Sequence, residues 1–218
     1  MTLPEINRSF TRSFTNCGEG KTLPTHQENE ELWLDIGCGT NKMLGAVGID
    51  RIKAPGVDIV HDLNAFPWPV ADNSFDHIVC SHSLSHLNDI LKVVEEIYRI
   101  SKDNAVVEIL APHYASDNFN TDPTHKIAFG IRSMDYFLEN HDLNSRYQYS
   151  PVHFSLIERK ISFRENETDF RRETKINPFR MIGLEKLVNH YPRIFERFFV
   201  YWLPPSEVYF KLRVHKKI

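Results

Sequence analysis

The chain has 218 residues, enough for one large domain with its own hydrophobic core, and its net charge of −3 argues against a nucleic-acid partner. No apolar run approaches the length of a membrane span, and no apolar stretch follows the charges near the N-terminus, so neither a membrane span nor a secretory signal is expected. The three cysteines are scattered, which favours reduced thiols and a cytoplasmic location.

The first 110 residues change from a polar segment to a series of short apolar runs. Residues 1–30 predict a flexible N-terminal arm, and residues 31–218 predict a single domain. Apolar residues at helical spacing predict a helix over 87–100. Strands are predicted over 32–36, 46–50, 57–60, 75–81 and 105–110. Apolar strands with a helix between the last two indicate an α/β fold with a parallel sheet.

The second half of the chain begins with a long loop. Residues 112–130 exceed the length of an ordinary connection, which predicts a lid over an active site. A short helix is predicted over 134–140 with Ser133 as its N-cap, and alternation predicts strands over 152–163 and 207–215. Between these strands, a helical stretch is predicted from Asn177 to about 202, interrupted at Pro192, with the aromatic run at 195–202 in the core.

A glycine turn follows the first predicted strand. Gly37 and Gly39 begin a dinucleotide-like motif, but Lys42 stands where that motif has its third glycine. Only residues 37–45 separate the first two strands, too few for the usual crossover helix. Carboxylates precede the turn and follow the second and third strands, at Asp35, Asp50 and Asp62. This order of acids favours a nucleoside that carries a charged amino acid over a dinucleotide.

With these motifs, the chain resembles class I S-adenosylmethionine (SAM)-dependent methyltransferases over about residues 30–112. The matching segments are 34–40, 48–50, 62–63, 73–79 and 86–112, in that order. The resemblance implies a Rossmann-like, mostly parallel seven-stranded sheet with flanking helices and an antiparallel last strand. It also implies SAM as cofactor and S-adenosylhomocysteine as product. The stub at 40–44 departs from the family's full helix, so the arm or the second subunit of a homodimer is expected to cover the sheet there.

The resemblance assigns roles to residues at the carboxyl ends of the strands. The glycines would let the backbone approach the methionyl part of SAM, and Asp50 would accept the ribose hydroxyls. Asp62 would bind the adenine amino group, and the backbone N–H of Leu63 would face a ring nitrogen of adenine. Ser81 and His82 would line the side of the site that holds the sulfonium. The full set of expected cofactor-binding residues is Asp35, Gly37, Cys38, Gly39, Asp50, Arg51, Asp62, Leu63, Ser81 and His82.

The predicted lid holds the candidate catalytic residues. A base is needed only if the acceptor is a hydroxyl or a protonated amine, and His113, Tyr114 and His125 are the expected candidates. No metal site is predicted: the chain has eleven histidines, but a metal needs convergent ligands, which a sequence cannot reveal.

The function predicted from the sequence is methyl transfer to an O or N atom of a small-molecule acceptor, such as a sugar or a lipid-linked intermediate. Two alternatives stay open at this point. One is a catalytically silent SAM-binding or scaffold protein, and the other is a nicotinamide-dependent oxidoreductase, which Lys42 and the missing helix disfavour.

Overall fold

The computed structural model describes residues 31–163 and 183–216. The predicted N-terminal arm and the predicted helix start at Asn177 lie outside the described residues. The described residues therefore include the glycine turn, the predicted lid and the last strand.

The described residues form one seven-stranded sheet in the order β3-β2-β1-β4-β5-β7-β6. Strands β1 to β5 pair in parallel, and β7 pairs antiparallel with both β5 and β6. This topology confirms the predicted fold class, including the antiparallel last strand. The strands are β1 (Trp33–Ile36), β2 (Val47–Asp50), β3 (Ile59–Val60), β4 (Phe75–Ser81), β5 (Ser101–Pro112), β6 (Phe154–Ser162) and β7 (Glu207–Val214).

The described helices are short apart from the one that connects β4 to β5. They are α1 (Ile90–Ile100), α2 (Asp117–Thr121), α3 (Asp142–Tyr147), α4 (Leu184–His190) and α5 (Pro192–Phe198), with 3-10 turns at Leu84–His86 and Ser133–Phe137. Helix α1 begins three residues later than predicted because the Asp89 carboxylate accepts the Lys92 N–H at 3.2 Å and caps it there.

Two predicted elements differ from the structure. The predicted helix at 134–140 is a 3-10 turn, and Ser133 is not its N-cap, because the Ser133 hydroxyl accepts the N–H of Gly130 at 2.9 Å instead. The aromatic run was predicted to lie in the core, yet the structure buries only part of it. Phe195 and Val200 are buried, whereas Phe198, Phe199, Tyr201 and Trp202 are exposed.

The core lies against both faces of the central strands. Most side chains of β1 and β2, and those in the C-terminal halves of β4 and β5, are buried, as in parallel sheets covered on both faces. Helix α1 buries one face, formed by Val93, Val94, Ile97 and Ile100. Burial of these aliphatic groups supplies the main free energy that holds the sheet together.

The connection between β1 and β2 contains no helix, as predicted. Lys42 Nζ lies 2.6 Å from Asp58 Oδ2, and the same oxygen accepts the N–H of Gly48 at 2.8 Å. The Lys42 side chain packs over Gly48, where an added Cβ would lie 2.6 Å from Lys42 Cδ and 2.7 Å from Cys38 Sγ. The stub's own side chains therefore occupy space at β2 that a crossover helix would otherwise fill.

None of the described helices has both the length and the apolar character needed to cross a bilayer.

Candidate functional site

The glycine turn joins the end of β1 to the end of β2. Gly37 donates its N–H to the carbonyl of Ile49 at 2.8 Å, and both glycines adopt positive φ, +68° for Gly37 and +51° for Gly39. A Cβ on Gly37 would lie 2.3 Å from Ser83 Cβ, whereas one on Gly39 would have no atom within 4 Å. A glycine is therefore required at position 37 because the segment after β4 approaches too closely for a side chain. Gly39, by contrast, borders open space.

Two predicted cofactor residues are buried within the turn. Asp35 is fully buried and its Oδ2 accepts the N–H of Met43 at 2.8 Å, and Cys38 is also buried. These contacts hold the turn in shape. A direct contact between either residue and SAM stays a prediction.

Asp50 stands at the end of β2, beside the turn. Its Oδ2 accepts the Gly39 N–H at 2.8 Å, and its Oδ1 accepts the Ile52 N–H at 3.0 Å. A carboxylate has about four acceptor sites, so these bonds leave capacity for two hydroxyl groups. The ribose role of Asp50 stays a prediction, and neighbouring Arg51 is exposed.

The loop after β3 presents an ionised carboxylate. Asp62 is exposed, and the backbone N–H and side-chain amide of Asn64, both bonded to Asp62 Oδ1, lower the pKa of Asp62. Leu63 is buried, and its carbonyl accepts the indole N–H of Trp68. Asn64 Oδ1 also accepts the N–H of Asn88 at 2.8 Å, which joins this loop to the segment before α1. This bridging role of Asn64 was not predicted from the sequence.

The serine segment, residues 81–85 at the end of β4 and just beyond it, carries three buried hydroxyls that lack hydrogen-bond partners within the described part of the chain. They belong to Ser81, Ser83 and Ser85. Ser83 touches the position where Gly37 lacks a side chain. Unpaired buried polar groups are costly, and a polar cofactor seated on the turn would offer them partners. The residues present therefore fit SAM; the sequence had indicated Ser81 but not Ser83 or Ser85.

His82 occupies the left-handed region in the middle of this serine segment, at φ +53°. A residue with a side chain adopts this conformation only where its surroundings hold it, and such residues concentrate at functional sites. His82 Nε2 lies 3.0 Å from Glu207 Oε1, without the angle that a hydrogen bond requires.

The predicted lid lies across the end of β4. The backbone N–H groups of Lys126 and Ile127 donate to the carbonyl of Ser85, at 2.7 and 3.1 Å, and the N–H of Tyr114 donates to the carbonyl of Phe129 at 2.8 Å. These bonds place residues 113–130 against the serine segment, on the side of the sheet away from β2 and β3.

His113 is fully buried and both of its ring nitrogens are engaged. Nδ1 accepts the N–H of Ala115 at 3.1 Å, so Nε2 carries the proton and donates to Glu196 Oε1 at 3.0 Å. Glu196 also accepts the N–H of Ile131 at 2.7 Å. In this arrangement, His113 joins the lid to α5 and offers no lone pair to an acceptor.

Tyr114 lies beside His113, with ring centroids 4.2 Å apart. Burial, followed by the nearby Glu196 carboxylate, raises the pKa of Tyr114 to about 12. The phenol is therefore protonated near neutral pH and does not serve as a base there. Its hydroxyl donates a long hydrogen bond, 3.4 Å, to the backbone carbonyl of Glu196.

His125 contacts two other polar side chains. Its ring stacks on Phe119, its Nδ1 lies 3.1 Å from the Phe119 carbonyl, and its Nε2 lies 3.9 Å from Asp122 Oδ2. The His86 ring is 4.5 Å away, and burial, followed by the nearby His125, lowers the pKa of His86. Of the three predicted catalytic residues, only His125 retains a ring lone pair. Its catalytic role stays a prediction.

A sequence profile described as a methyltransferase domain matches residues 12–191 of the chain. A demethylmenaquinone methyltransferase from Geobacillus stearothermophilus is 31% identical over 94 residues, which are 42% of this chain and 35% of that protein. A protein of the same name from Shouchella clausii is 29% identical over 98 residues, 43% of this chain and 41% of that protein. The matched region thus spans well under half of these relatives.

The chain also aligns with a crystal structure of a SAM-dependent methyltransferase from Archaeoglobus fulgidus. The TM-score is 0.48 at 18% identity, covering 85% of this chain and 87% of that one.

Proposed function

The chain belongs to the methyltransferase domain family, and from that premise we propose that it transfers the methyl group of SAM to an O or N atom of a small, lipid-linked acceptor. Family membership confirms the predicted class of SAM-dependent methyltransferases and argues against the nicotinamide-dependent alternative. The identity of the methyl acceptor and the residues that bind it are our proposal.

The proposal rests on the turn at Gly37 and Gly39, which lies beside three serine hydroxyls that lack hydrogen-bond partners among the described residues. The hydroxyls would bind the polar amino-acid end of SAM, and Asp50 and Asp62 would bind the nucleoside end at β2 and β3. In a doubly wound sheet, ligands bind at the carboxyl ends of the strands, where all of these groups stand.

When bound, SAM would supply a methyl group on a positively charged sulfur, with S-adenosylhomocysteine as the neutral leaving thioether. The proton that a hydroxyl or amine acceptor loses on methylation would pass to a base. The chain's part is to align the acceptor lone pair with the sulfur–methyl bond and to exclude water, and such positioning supplies much of the rate. The lid, held on the Ser85 carbonyl, would exclude water from the end of β4. Tyr114, protonated near neutral pH, would turn its hydroxyl from the Glu196 carbonyl to donate a hydrogen bond to the acceptor.

Exposed aromatic side chains near the lid support an apolar acceptor. The rings of Tyr114 and Tyr201 pack edge to face, with their centroids 6.5 Å apart. The Tyr201 and Trp202 side chains are 81% and 89% exposed. Large apolar surface left in water marks sites that bind apolar ligands or surfaces. The relatives' name, demethylmenaquinone methyltransferase, points in the same direction.

The experiment is a transfer assay with SAM labelled in its methyl group. The purified chain is incubated either with the organic-solvent extract of cells or with the water-soluble metabolite fraction. We expect label in a solvent-extractable product, and a Tyr201→Ser, Trp202→Ser double variant should form less of it. Label that enters only water-soluble products would reject a lipid-linked acceptor, and transfer to neither fraction would favour the silent SAM-binding alternative.

A further inference from the structure

Three metal-ligating side chains meet where the lid crosses the end of β4. His86 lies in the 3-10 turn after β4, whereas Asp122 and His125 lie in the lid. One ligand atom from each side chain lies within 4.8 Å of the other two. The sequence predicted no metal site because it could not show this convergence.

The hydrogen bonds around the cluster determine which ring nitrogens keep a lone pair. The Asp122 carboxylate can only accept, so the Thr124 hydroxyl donates its one proton to Asp122 Oδ1, at 2.7 Å. His86 Nδ1, 2.9 Å from that hydroxyl, must then be the donor to its oxygen. The Nε2 atom of neutral His86 therefore carries the lone pair.

The same reasoning applies to His125. Its Nδ1 faces the Phe119 carbonyl, which can only accept, so Nδ1 is protonated and Nε2 carries the lone pair. A histidine that ligates a metal characteristically donates its other ring N–H to an oxygen, which fixes the ring and its tautomer. Both histidines of the cluster have this arrangement, with Thr124 and the Phe119 carbonyl as the fixing oxygens.

We infer that His86, Asp122 and His125 bind one divalent transition-metal ion of the zinc class, with at least one coordination position open. Two imidazoles and one carboxylate suit zinc and its neighbours rather than calcium or magnesium, which prefer oxygen ligands. Ligand atoms at about 2.0–2.2 Å from zinc are roughly 3.3 Å apart. The present spacing, within 4.8 Å, therefore requires a contraction of up to about 1.5 Å, shared by the exposed Asp122 side chain and the two partly buried histidines.

Such an ion would fasten the lid to the segment after β4. In the structure, two backbone hydrogen bonds to the Ser85 carbonyl connect these segments, together with the contact between Thr124 and His86 and a 2.7 Å hydrogen bond from Lys126 Nζ to Asn88 Oδ1. The open position of the ion would lie on the lid side of the sheet and accept an oxygen ligand. Ion binding itself does not depend on methyl transfer, and it can be measured without SAM.

The test is a zinc titration of the chelator-treated chain in competition with a chromophoric chelator. We expect one equivalent of zinc per chain. His86→Gln and His125→Gln should each weaken binding at least tenfold, and Asp122→Asn should weaken it as well. His190→Gln is the matched control, because His190 is an exposed histidine outside the cluster, and it should leave binding unchanged.

A wild-type chain that binds no stoichiometric zinc would overturn the inference, and so would equal affinity in the wild type and the cluster variants. Thermal melting of each metal-free variant identifies any that fails to fold. The zinc affinities of the cluster variants that do fold then test the inference. Cobalt(II) provides a readout on the wild type alone: visible absorption of a four- or five-coordinate site supports the inference, and a spectrum of hexaaqua cobalt only contradicts it. S-adenosylhomocysteine binding, measured separately, shows whether the proposed function fails independently.

Discussion

Asp50 connects the glycine turn to the predicted ribose site. Each of its oxygens accepts one backbone N–H, from Gly39 and from Ile52, which orients the carboxylate at the end of β2. A carboxylate held in this way is preorganised to accept two further hydrogen bonds from neighbouring hydroxyls.

Asp50→Ala should weaken SAM binding by at least about tenfold. A hydrogen bond to a charged group contributes about 1.5–3 kcal/mol, and about 1.4 kcal/mol corresponds to a factor of ten in affinity. Calorimetric titration measures the change. Asp142→Ala is the control, since the Asp142 side chain is 70% exposed on α3. Equal SAM affinity in the Asp50 variant and the wild type would refute the ribose assignment.

Gly37 and Gly39 share a left-handed backbone but differ in their surroundings, which provides a matched pair. Gly37→Ala should lower the melting temperature more than Gly39→Ala, because only the first places a Cβ against Ser83. Overpacking costs about 1–3 kcal/mol, which lowers the melting temperature by roughly 2–12 °C for a domain of this size. Differential scanning calorimetry tests this, and equal melting temperatures would show that the turn does not pack on Ser83 as described.

At the scale of elements, α5 is tied to the lid through one carboxylate oxygen. Glu196 Oε1 accepts hydrogen bonds from His113 at 3.0 Å and from the backbone of Ile131 at 2.7 Å. The fully buried His113 therefore acts in the structure as a connector between β5, the lid and α5.

Glu196→Leu should lower the free energy of unfolding by about 1–3 kcal/mol for each donor left without a partner. Glu196→Gln retains a carbonyl oxygen at nearly the same position, so the loss should be clearly smaller. Urea denaturation of the two variants and the wild type measures both. If Leu and Gln destabilise the chain equally, the two hydrogen bonds do not contribute as described.

Elements with a strong local pattern could be predicted from the sequence. β4 was predicted at its observed bounds, and the missing crossover helix followed from the short spacing between the first two strands. The predicted 105–110 strand begins earlier, at Ser101, because pairing with β4 extends to Phe75. Helix α3 was missed, since its six residues show no apolar periodicity and its N-cap is His141.

The candidate site was predictable where its residues follow strands and unpredictable where it depends on contacts between loops. The glycine turn and the acids after β2 and β3 stand at strand ends, which a sequence pattern can locate. Two features depend on how the lid packs: the Ser83 and Ser85 hydroxyls, which have no partner in residues 31–163 and 183–216, and the contact between His86 and His125. Tertiary packing, not local propensity, determines these features.

For the whole molecule, the strand order separates two halves of the site. β2 and β3 carry the acids predicted to hold the nucleoside, while β4 and β5 lead into the serine segment and the lid. The turn after β1 lies between these halves, so a cofactor seated there would reach from Asp62 towards the lid. Because of this layout, we assign the methyl donor, SAM, and the methyl acceptor to opposite sides of one sheet edge.

Titration of the purified chain with S-adenosylhomocysteine, alongside NADH, tests the central claim most directly. We expect saturable binding of one S-adenosylhomocysteine per chain, displaced by SAM, with no comparable binding of NADH. A folded chain that binds no S-adenosylhomocysteine, or that binds NADH in preference, would contradict it.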